Sequence, residues 1–291
     1  MTTHKPIQGA CYMLLSALCF AGINNTVQLI HVTYHIPSTT VACLQYALAL
    51  LLIFPWLWKR GVWQALGTQR IGLHITRVFF AVVGLQLWYW ALAYPVPLWQ
   101  GIGLLMLSPI FTTIGSRLVL HETVGYERWL ATIIGFCGAS LILQPWAEHF
   151  YWGSVLPVGA AFFWSCSSIT TKKLVKTEKT TTLFIYLLLL TTPFNIIAAT
   201  HNGLTPIEPI VWVFIIGASI LTALAQFSIV RAYTVADASY IQPFDNVKLP
   251  LNVALGFWVF GTVPPGRLWV GAACIMLSAA FMVRHEVKRI S

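Results

Sequence analysis

The sequence contains few charged residues. Asp, Glu, Lys and Arg make up 9% of its 291 residues, and only eight residues are acidic. A soluble globular domain carries about 25% charged residues, so this chain cannot cover a water-soluble surface of its size. Because 58% of the residues are hydrophobic and the mean hydropathy is +0.76, the composition predicts an all-α integral membrane protein with many spans.

The sequence also lacks the cysteine and histidine spacings of disulfide-rich, redox or zinc proteins. Its six cysteines lie within apolar runs, and none forms a CxxC or a Cys/His pattern. We interpret them as small packing residues and expect neither a metal nor a cofactor. A cleavable signal peptide is not expected, because the first apolar run follows Lys5 and continues to about Ile30, which is too long for a signal core.

The net charge of +9 does not indicate a nucleic acid partner. The basic residues occur in short clusters between apolar runs, so they form no continuous basic face, and no aromatic RNA-binding motif is present. The partners that we expect are a small-molecule substrate and the lipid bilayer, with a proton or counter-substrate as a possible coupling partner.

Long apolar runs dominate the rest of the chain. A helix that crosses a bilayer needs about 20 predominantly apolar residues, and ten runs approach this length. The predicted spans cover residues 7–30, 39–58, 74–93, 98–118, 129–144, 152–171, 181–200, 210–232, 239–260 and 268–283.

Lysine and arginine in the short connections predict the orientation, because cytoplasmic loops are enriched in both. If the N-terminus is cytoplasmic, the segments on that side contain Lys5, Lys59, Arg60, Arg70, Arg117, Arg128, Lys172, Lys173, Lys176, Lys179, Arg231, Arg284, Lys288 and Arg289. The opposite loops contain Arg267 together with Glu148 and Glu208. We therefore predict a multi-pass protein of the cell (inner) membrane, with both termini cytoplasmic and an even number of spans.

The two halves of the chain resemble each other. Gly9 and Gly153 each open a span, and residues 20–24 (Phe-Ala-Gly-Ile-Asn) and 164–168 (Trp-Ser-Cys-Ser-Ser) follow them at equal distance. The offset of about 140 residues gives each half five spans. Because five is odd, the second half begins on the opposite side of the membrane.

This arrangement predicts two inverted five-helix repeats, in residues 1–147 and 148–291. Inverted repeats are typical of secondary transporters, in which the substrate site lies at the repeat interface near the midplane.

The chain resembles the drug/metabolite transporter superfamily, in its EamA-type ten-helix branch, over nearly its whole length. Besides the two stretches above, the shared motifs include Ala-Leu-Ala-Tyr at 91–94 and Val-Arg-Ala-Tyr at 230–233. Pro109, Pro250 and Glu122 also match. After the ninth span the family often has Phe-Gly-Glu-x-Pro, but here Thr262 replaces the Glu, so no role of that Glu is carried into the second half.

The resemblance implies a secondary transporter without ATP hydrolysis. Its central cavity would be lined by the first, third, fourth, sixth, eighth and ninth spans. Family members carry amino acids, nucleobase-like metabolites, vitamins, S-adenosylmethionine-like solutes or drugs, and fold analogy cannot choose among these.

The ninth span contains the most informative polar cluster. Asp245 and Lys248 are three residues apart and share one helix face. A charged side chain at the bilayer centre costs about 2.5–3.5 kcal/mol on insertion scales, so it usually faces a partner or a wet cavity. The pair is predicted either to bind a zwitterionic substrate, with Asp245 as an alternative proton carrier, or to be a structural ion pair, or Lys248 extends outward to the membrane surface. Tyr240 and Gln242 extend the cluster.

Amides and aromatic residues in other spans supply further candidates. Amides in hydrocarbon either bond neighbouring helices or line water, and aromatic rings could stack on a flat or cationic substrate; the alternative for the rings is that they anchor the chain at the membrane interface. The predicted substrate-binding residues outside the ninth span are Asn24, Gln28, Gln86, Trp90, Trp164 and Ser168.

Two arginines are candidates for gating. Arg77 lies about one turn into the third span, where it either extends to the cytoplasmic surface or gates the inner mouth. Arg231 and Asp237 flank the connection between the eighth and ninth spans and could pair there.

The function that we predict is alternating-access transport of a small polar or zwitterionic metabolite, such as an amino acid, a nucleoside-like or a vitamin-like solute. The alternatives are a lipid flippase and a membrane-embedded transferase acting on amphipathic substrates. A transferase would need clustered catalytic residues, but no HExxH, DxxD or Ser/Lys dyad is present. A retinal-type receptor with a Schiff base on Lys248 conflicts with ten spans and an internal repeat.

Overall fold

The computed structural model describes residues 5–60, 66–93, 98–105, 107–143, 153, 155–201, 207–261 and 266–290. Over these residues the regular structure is helical and contains no strand. The described helices are α1 (Pro6–Tyr34), α2 (Ser38–Arg60), α3 (Ile71–Ala93), α4 (Leu98–Leu105), α5 (Ser108–Val119), α6 (Tyr126–Leu143), α7 (Val155–Leu174), α8 (Thr180–His201), α9 (Pro209–Val235), α10 (Ala238–Asp245), α11 (Lys248–Phe260) and α12 (Gly266–Ile290).

Several of these helices have the length and composition of membrane spans. Among the described residues, five helical segments are long and apolar enough to cross a bilayer: Pro6–Tyr34, Ser38–Pro55, Ile71–Trp88, Thr180–Thr200 and Pro209–Val235. The chain is therefore a multi-pass integral membrane protein, as its composition predicted.

The predicted fourth and ninth spans are each interrupted. The fourth consists of α4 and α5, and the ninth consists of α10 and α11. Pro250 has no N–H to offer the carbonyl of Asn246, and its ring crowds that carbonyl. The backbone N–H of Leu249 donates to Asn246 instead, at 3.0 Å, which tightens the turn between α10 and α11. Pro109 stands in the same relation to Leu105, the last residue of α4.

Three pairs of helices pack antiparallel to each other. The first and last turns of α1 lie beside α9, because the N–H of Lys5 donates to Val235 O at 2.8 Å and Tyr34 contacts Phe214. The hydroxyl of Ser167 in α7 donates to Arg77 O in α3 at 3.0 Å. The third pair joins α6 to α12. We call the end of the bundle at which α1 begins and α9 ends the Lys5 end.

Two further pairs are parallel. In α1 and α11, Asn25 lies beside Asn252, and in α5 and α7 the Thr112 hydroxyl donates to Ser165 Oγ at 3.1 Å. Small residues allow such close approach in membranes, where van der Waals packing holds helices together. At the antiparallel α6–α12 crossing, a Cβ added to Gly138 would lie 2.7 Å from a backbone oxygen.

The most extensive apolar core lies at the Lys5 end. It contains Met13 from α1, Tyr233 from α9, and Tyr240, Phe244 and Val247 from the interrupted ninth span. This packing fixes the position of α10 and brings Asp245 and Lys248 between α1 and the rest of the bundle.

Candidate functional site

The interruption of the ninth span carries an ion pair. Asp245 is the last residue of α10 and Lys248 is the first of α11. Lys248 Nζ lies 2.5 Å from Asp245 Oδ2, and the side chains are 22% and 14% exposed, respectively. The ammonium group also lies 5.6 Å from the centre of the Phe20 ring in α1, within the range of a cation–π interaction.

Both charges lie at helix ends that disfavour them. The C-terminus of a helix carries partial negative charge and the N-terminus partial positive charge, whereas Asp245 ends α10 and Lys248 begins α11. Each side chain therefore depends on the other, or on a ligand, for compensation. A group of this kind can exchange its partner for a substrate that offers a matching donor or acceptor.

Asn25 and Asn252 connect α1 to α11 next to this pair. The Asn25 amide nitrogen donates to Ala21 O at 2.9 Å and lies 3.5 Å from Asn252 Oδ1. The Asn252 amide nitrogen donates to Lys248 O at 2.6 Å. The predicted residues Asn24 and Gln28 are half-buried on the same helix. The site prediction did not include Asn25 or Asn252.

A buried chain of polar groups leads from α7 to α10. The Tyr233 hydroxyl donates to Gln242 Oε1 at 2.7 Å, and Ser168 of α7 lies near the same hydroxyl. Gln242 and Tyr233 are 3% and 1% exposed, so two predicted residues, Gln242 and Ser168, meet through a tyrosine that the prediction missed. Tyr240 is buried one turn away against Phe244.

The predicted aromatic residues lie in different environments. The Trp164 indole packs on Gly84 of α3, and its N–H donates to Ala81 O at 3.2 Å. Gln86 is half-buried. Trp90 is 60% exposed, whereas Trp88 is 8% exposed and belongs to an apolar cluster of the interior.

The two candidate gating arginines are held by neighbouring helices. Arg77 is 2% exposed and its Nη1 donates to Leu183 O of α8 at 2.9 Å, so it does not extend to the surface. The Arg231 guanidinium lies 5.7 Å from the centre of the Tyr12 ring. Asp237 forms an ion pair with Arg128, at 3.1 Å.

Three charged residues outside the predicted site contact the connection between α9 and α10. They are Glu122, Arg128 and Lys172. Glu122 was marked by the family motif but was given no partner, because its partner lies more than 100 residues away in the sequence.

These features define a class of protein. Polar and charged side chains meet where helices are interrupted inside a helical membrane bundle, which is how transporters build sites for solutes. No group of three or more His, Cys, Asp or Glu residues that could hold a metal ion occurs in the part of the chain that the structure describes.

The chain belongs to the EamA-like transporter family. The family matches twice, at residues 7–144 and 151–284. It is thus a secondary transporter of a small solute and not an enzyme, and it lies within the drug/metabolite transporter superfamily, as its motifs predicted.

Several relatives have names that state a substrate. The chain is 55% identical to a riboflavin transporter of Vibrio cholerae over 98% of this chain and 96% of that protein. It is 41% identical to a riboflavin transporter of Rhizobium johnstonii over 98% of this chain and 94% of that one. An S-adenosylmethionine uptake transporter of Rickettsia bellii is 27% identical over 87% of this chain and 86% of its own length.

A solved crystal structure has the same fold. It is 14% identical in sequence and superposes with a TM-score of 0.82, covering 99% of this chain and all of the other. At this level of identity the likeness concerns the arrangement of helices alone.

Proposed function

We propose that this chain carries riboflavin, or a closely similar vitamin-like solute, across the cell (inner) membrane by alternating access. The observation that carries the proposal is the 55% identity to a riboflavin transporter over nearly the full length of both chains. The more distant S-adenosylmethionine relatives, at 27% identity, are consistent with a family in which the scaffold is kept and the substrate varies.

The proposed architecture is ten spans in two inverted five-helix repeats, residues 1–147 and 148–291. In the proposed repeat, α1 corresponds to α7, and α3 corresponds to α9. The contact of α1 with α9 therefore corresponds to the contact of α7 with α3, and both contacts are present. The direction is reversed as well, because α1 begins at the Lys5 end, whereas α7 ends there with Lys172 beside Ala236. This supports the repeat interface as the place of the substrate site.

The proposed orientation places the Lys5 end in the cytoplasm, together with both termini. The lysines and arginines of the connections on that side support it, since cytoplasmic loops carry an excess of basic residues. Alternating access would then expose the central site to the cytoplasm when the Lys5 end opens, and to the other side when it closes.

The substrate site is centred on the Asp245–Lys248 pair. Riboflavin combines a flat ring system, an imide edge with one N–H between two carbonyl groups, and a polyhydroxylated chain. Lys248 would donate to an imide carbonyl, Asp245 would accept from the imide N–H, and Phe20 would lie against the ring. These roles use the donor and acceptor that the pair holds 2.5 Å apart.

The amides and hydroxyls among the predicted site residues match the polyol chain. Asn24, Gln28, Gln86, Ser168 and Gln242 supply these groups. Tyr240, Trp90 and Trp164 are the proposed aromatic components, and a proton or counter-substrate is the proposed coupling partner, with Asp245, Arg77 and Arg231 as its candidate residues.

Uptake by purified protein tests the proposal. The protein, reconstituted in liposomes and preloaded with unlabelled riboflavin, is expected to accumulate labelled riboflavin faster than empty liposomes do. Excess unlabelled riboflavin should compete, and S-adenosylmethionine should not. Absence of riboflavin uptake together with uptake of another solute, or with movement of labelled lipid between leaflets, would contradict the proposed substrate.

A further inference from the structure

Three charged side chains converge on one short connection. Glu122 follows α5, Arg128 lies in the first turn of α6 and Lys172 lies in the last turn of α7. All three contact residues 233–239, which join the end of α9 to the start of α10 at the Lys5 end. This connection leads directly into the helix that carries Gln242 and Asp245.

Glu122 caps the N-terminus of α10. Its carboxylate accepts hydrogen bonds from the backbone N–H of Ala238 at 3.1 Å and of Ser239 at 3.2 Å, and from the Ser239 hydroxyl at 3.0 Å. The first N–H groups of a helix have no partner within the helix, and the helix dipole favours a negative charge there. The acid therefore binds α10 through both hydrogen bonding and charge.

Arg128 and Lys172 hold the same connection from two other helices. The Arg128 guanidinium, which is 6% exposed, donates to Ser239 Oγ at 2.8 Å and to Asp237 at 3.1 Å. The Lys172 ammonium donates to Tyr233 O at 3.0 Å and also to Ala236 O. Those carbonyls belong to the C-terminal end of α9, where a positive charge is favoured.

We infer that Glu122, Arg128 and Lys172 form a latch that keeps the mouth at the Lys5 end closed, and that transport requires its release. The inference rests on the proposed alternating-access function. The three residues bind the end of α9 and the start of α10, so their release frees the segment that carries the site residues of the ninth span. We call the three side chains with residues 233–239 the latch.

The surroundings of the latch allow its bonds to be exchanged for bonds to water. A pocket of about 180 Å³ is lined by Glu122, Lys172, Lys176, Thr234 and Asp237, among others. The Asp237 side chain is 29% exposed. Below this layer the packing is tight, because a Cβ added to Gly9 would lie 2.5 Å from the Ala236 Cβ. Opening thus has to begin with the polar contacts.

The latch has no equivalent acid in the second half of the sequence. Thr262 occupies the position that corresponds to Glu122. A carboxylate that caps a helix of the other half is therefore expected at the Lys5 end and not at the opposite end. This difference favours the conformation that is closed at the Lys5 end.

Thiol labelling measures the opening of this mouth. Ile241 lies beyond the latch and is fully buried, so the Ile241→Cys variant, in a chain with its six natural cysteines replaced, reports access from the Lys5 end. In inside-out vesicles, adding Glu122→Gln is expected to raise the labelling rate by a membrane-impermeant maleimide about tenfold, since hydrogen bonds to a charged acceptor are lost.

A second reporter separates release of the latch from general loosening. Val253 lies in α11 on the far side of Lys248 from the Lys5 end and is partly buried. In right-side-out vesicles, labelling of Val253→Cys should decrease when Glu122→Gln is added, because opening at one end closes the other. An increase at both reporters would indicate a disordered fold and would contradict the inference.

Two further variants complete the test. Glu208→Gln removes the same charge beside the N-terminus of α9, at the opposite end of the bundle, and should leave both labelling rates unchanged. Ser239→Ala removes the hydroxyl shared by Glu122 and Arg128 and should raise labelling of Ile241→Cys by about threefold; it decides the matter if Glu122→Gln does not fold. Unchanged labelling in both latch variants overturns the latch, whereas the expected labelling in a chain that does not carry riboflavin overturns only the proposed substrate.

Discussion

Asp245 and Lys248 occupy the helix ends that least favour their charges. Asp245 ends α10 and Lys248 begins α11, and the helix dipole favours the opposite charge at each of these ends. A pair that served only to stabilise the bundle would be expected in the reverse order. We propose that the observed order holds the two charges in a state from which a ligand can release them, so that the pair binds substrate.

Exchange of the two charges distinguishes these roles. The double variant Asp245→Lys/Lys248→Asp keeps an ion pair and places each charge at its favoured helix end, worth about 0.3–1 kcal/mol per charge. We expect this variant to be at least as resistant to thermal unfolding as the natural chain but to lose riboflavin uptake by more than about tenfold, as Lys248→Met should, because donor and acceptor have changed places.

A matched lysine provides the control for this experiment. Lys173 is exposed at the end of α7, so Lys173→Met removes one positive charge without touching the site and should leave uptake within about twofold of the natural rate. Recovery of uptake in the double variant would show that the pair is structural and that substrate binds elsewhere.

Sequence reasoning reached the candidate residues only within single helices. The spacing of Asp245 and Lys248 places them on one face of any helix, and this pair is present. Contacts such as Asn25 with Asn252 join residues 227 positions apart. Such contacts depend on the register between two packed helices, and the periodicity of a single sequence does not reveal that register. The partners of Tyr233 and Glu122 were missed for the same reason.

Helices α6 and α12 approach each other closely at a glycine. Gly138 of α6 faces α12, and a Cβ at this position would lie 2.7 Å from Gly271 O and 2.8 Å from the Cys274 Cβ. The first of these atoms belongs to the backbone and cannot move aside without separating the helices. The α6–α12 crossing is therefore more sensitive to added volume than a lipid-facing surface is.

Two single-atom changes test this reasoning at the level of helices. Gly138→Ala is expected to lower the free energy of unfolding by about 1–3 kcal/mol through overpacking. Gly217→Ala on α9, where a Cβ would meet nothing within 4 Å, should raise it by about 0.5–1 kcal/mol, because alanine favours the helix. Thermal unfolding in detergent measures both, and equal effects of the two changes would contradict the observed crossing.

The helical segments themselves were largely predictable, but their interruptions were predicted less well. Apolar runs of about 20 residues predicted the long helices, because a helix needs this length to cross a bilayer. The divisions between α4 and α5 and between α10 and α11 lie just before Pro109 and Pro250, respectively. Proline is also tolerated within continuous helices here, as Pro55 in α2 and Pro193 in α8 demonstrate, so proline alone does not predict a break.

The molecule as a whole is proposed to combine similar halves with opposite directions. α1 begins at the Lys5 end, where Lys5 lies beside Val235, whereas its proposed counterpart α7 ends there, with Lys172 beside Ala236. Opposite insertion requires an odd number of spans in each half. Two halves of opposite direction can exchange conformations, so that a site between them faces one side and then the other.

Reporter fusions test the proposed topology. A reporter joined after residue 147 follows five proposed spans, and one joined after Ser291 follows ten. With the N-terminus cytoplasmic, alkaline phosphatase should be active at residue 147 and inactive at residue 291, and green fluorescent protein should give the reverse. This follows because the connections of the first half that carry Lys59, Arg60, Arg70, Arg117 and Arg128 are expected to stay in the cytoplasm. Green fluorescent protein that fluoresces at both junctions would mean that both halves begin on the cytoplasmic side and are inserted in parallel, and the proposed inverted repeat would then have to be abandoned.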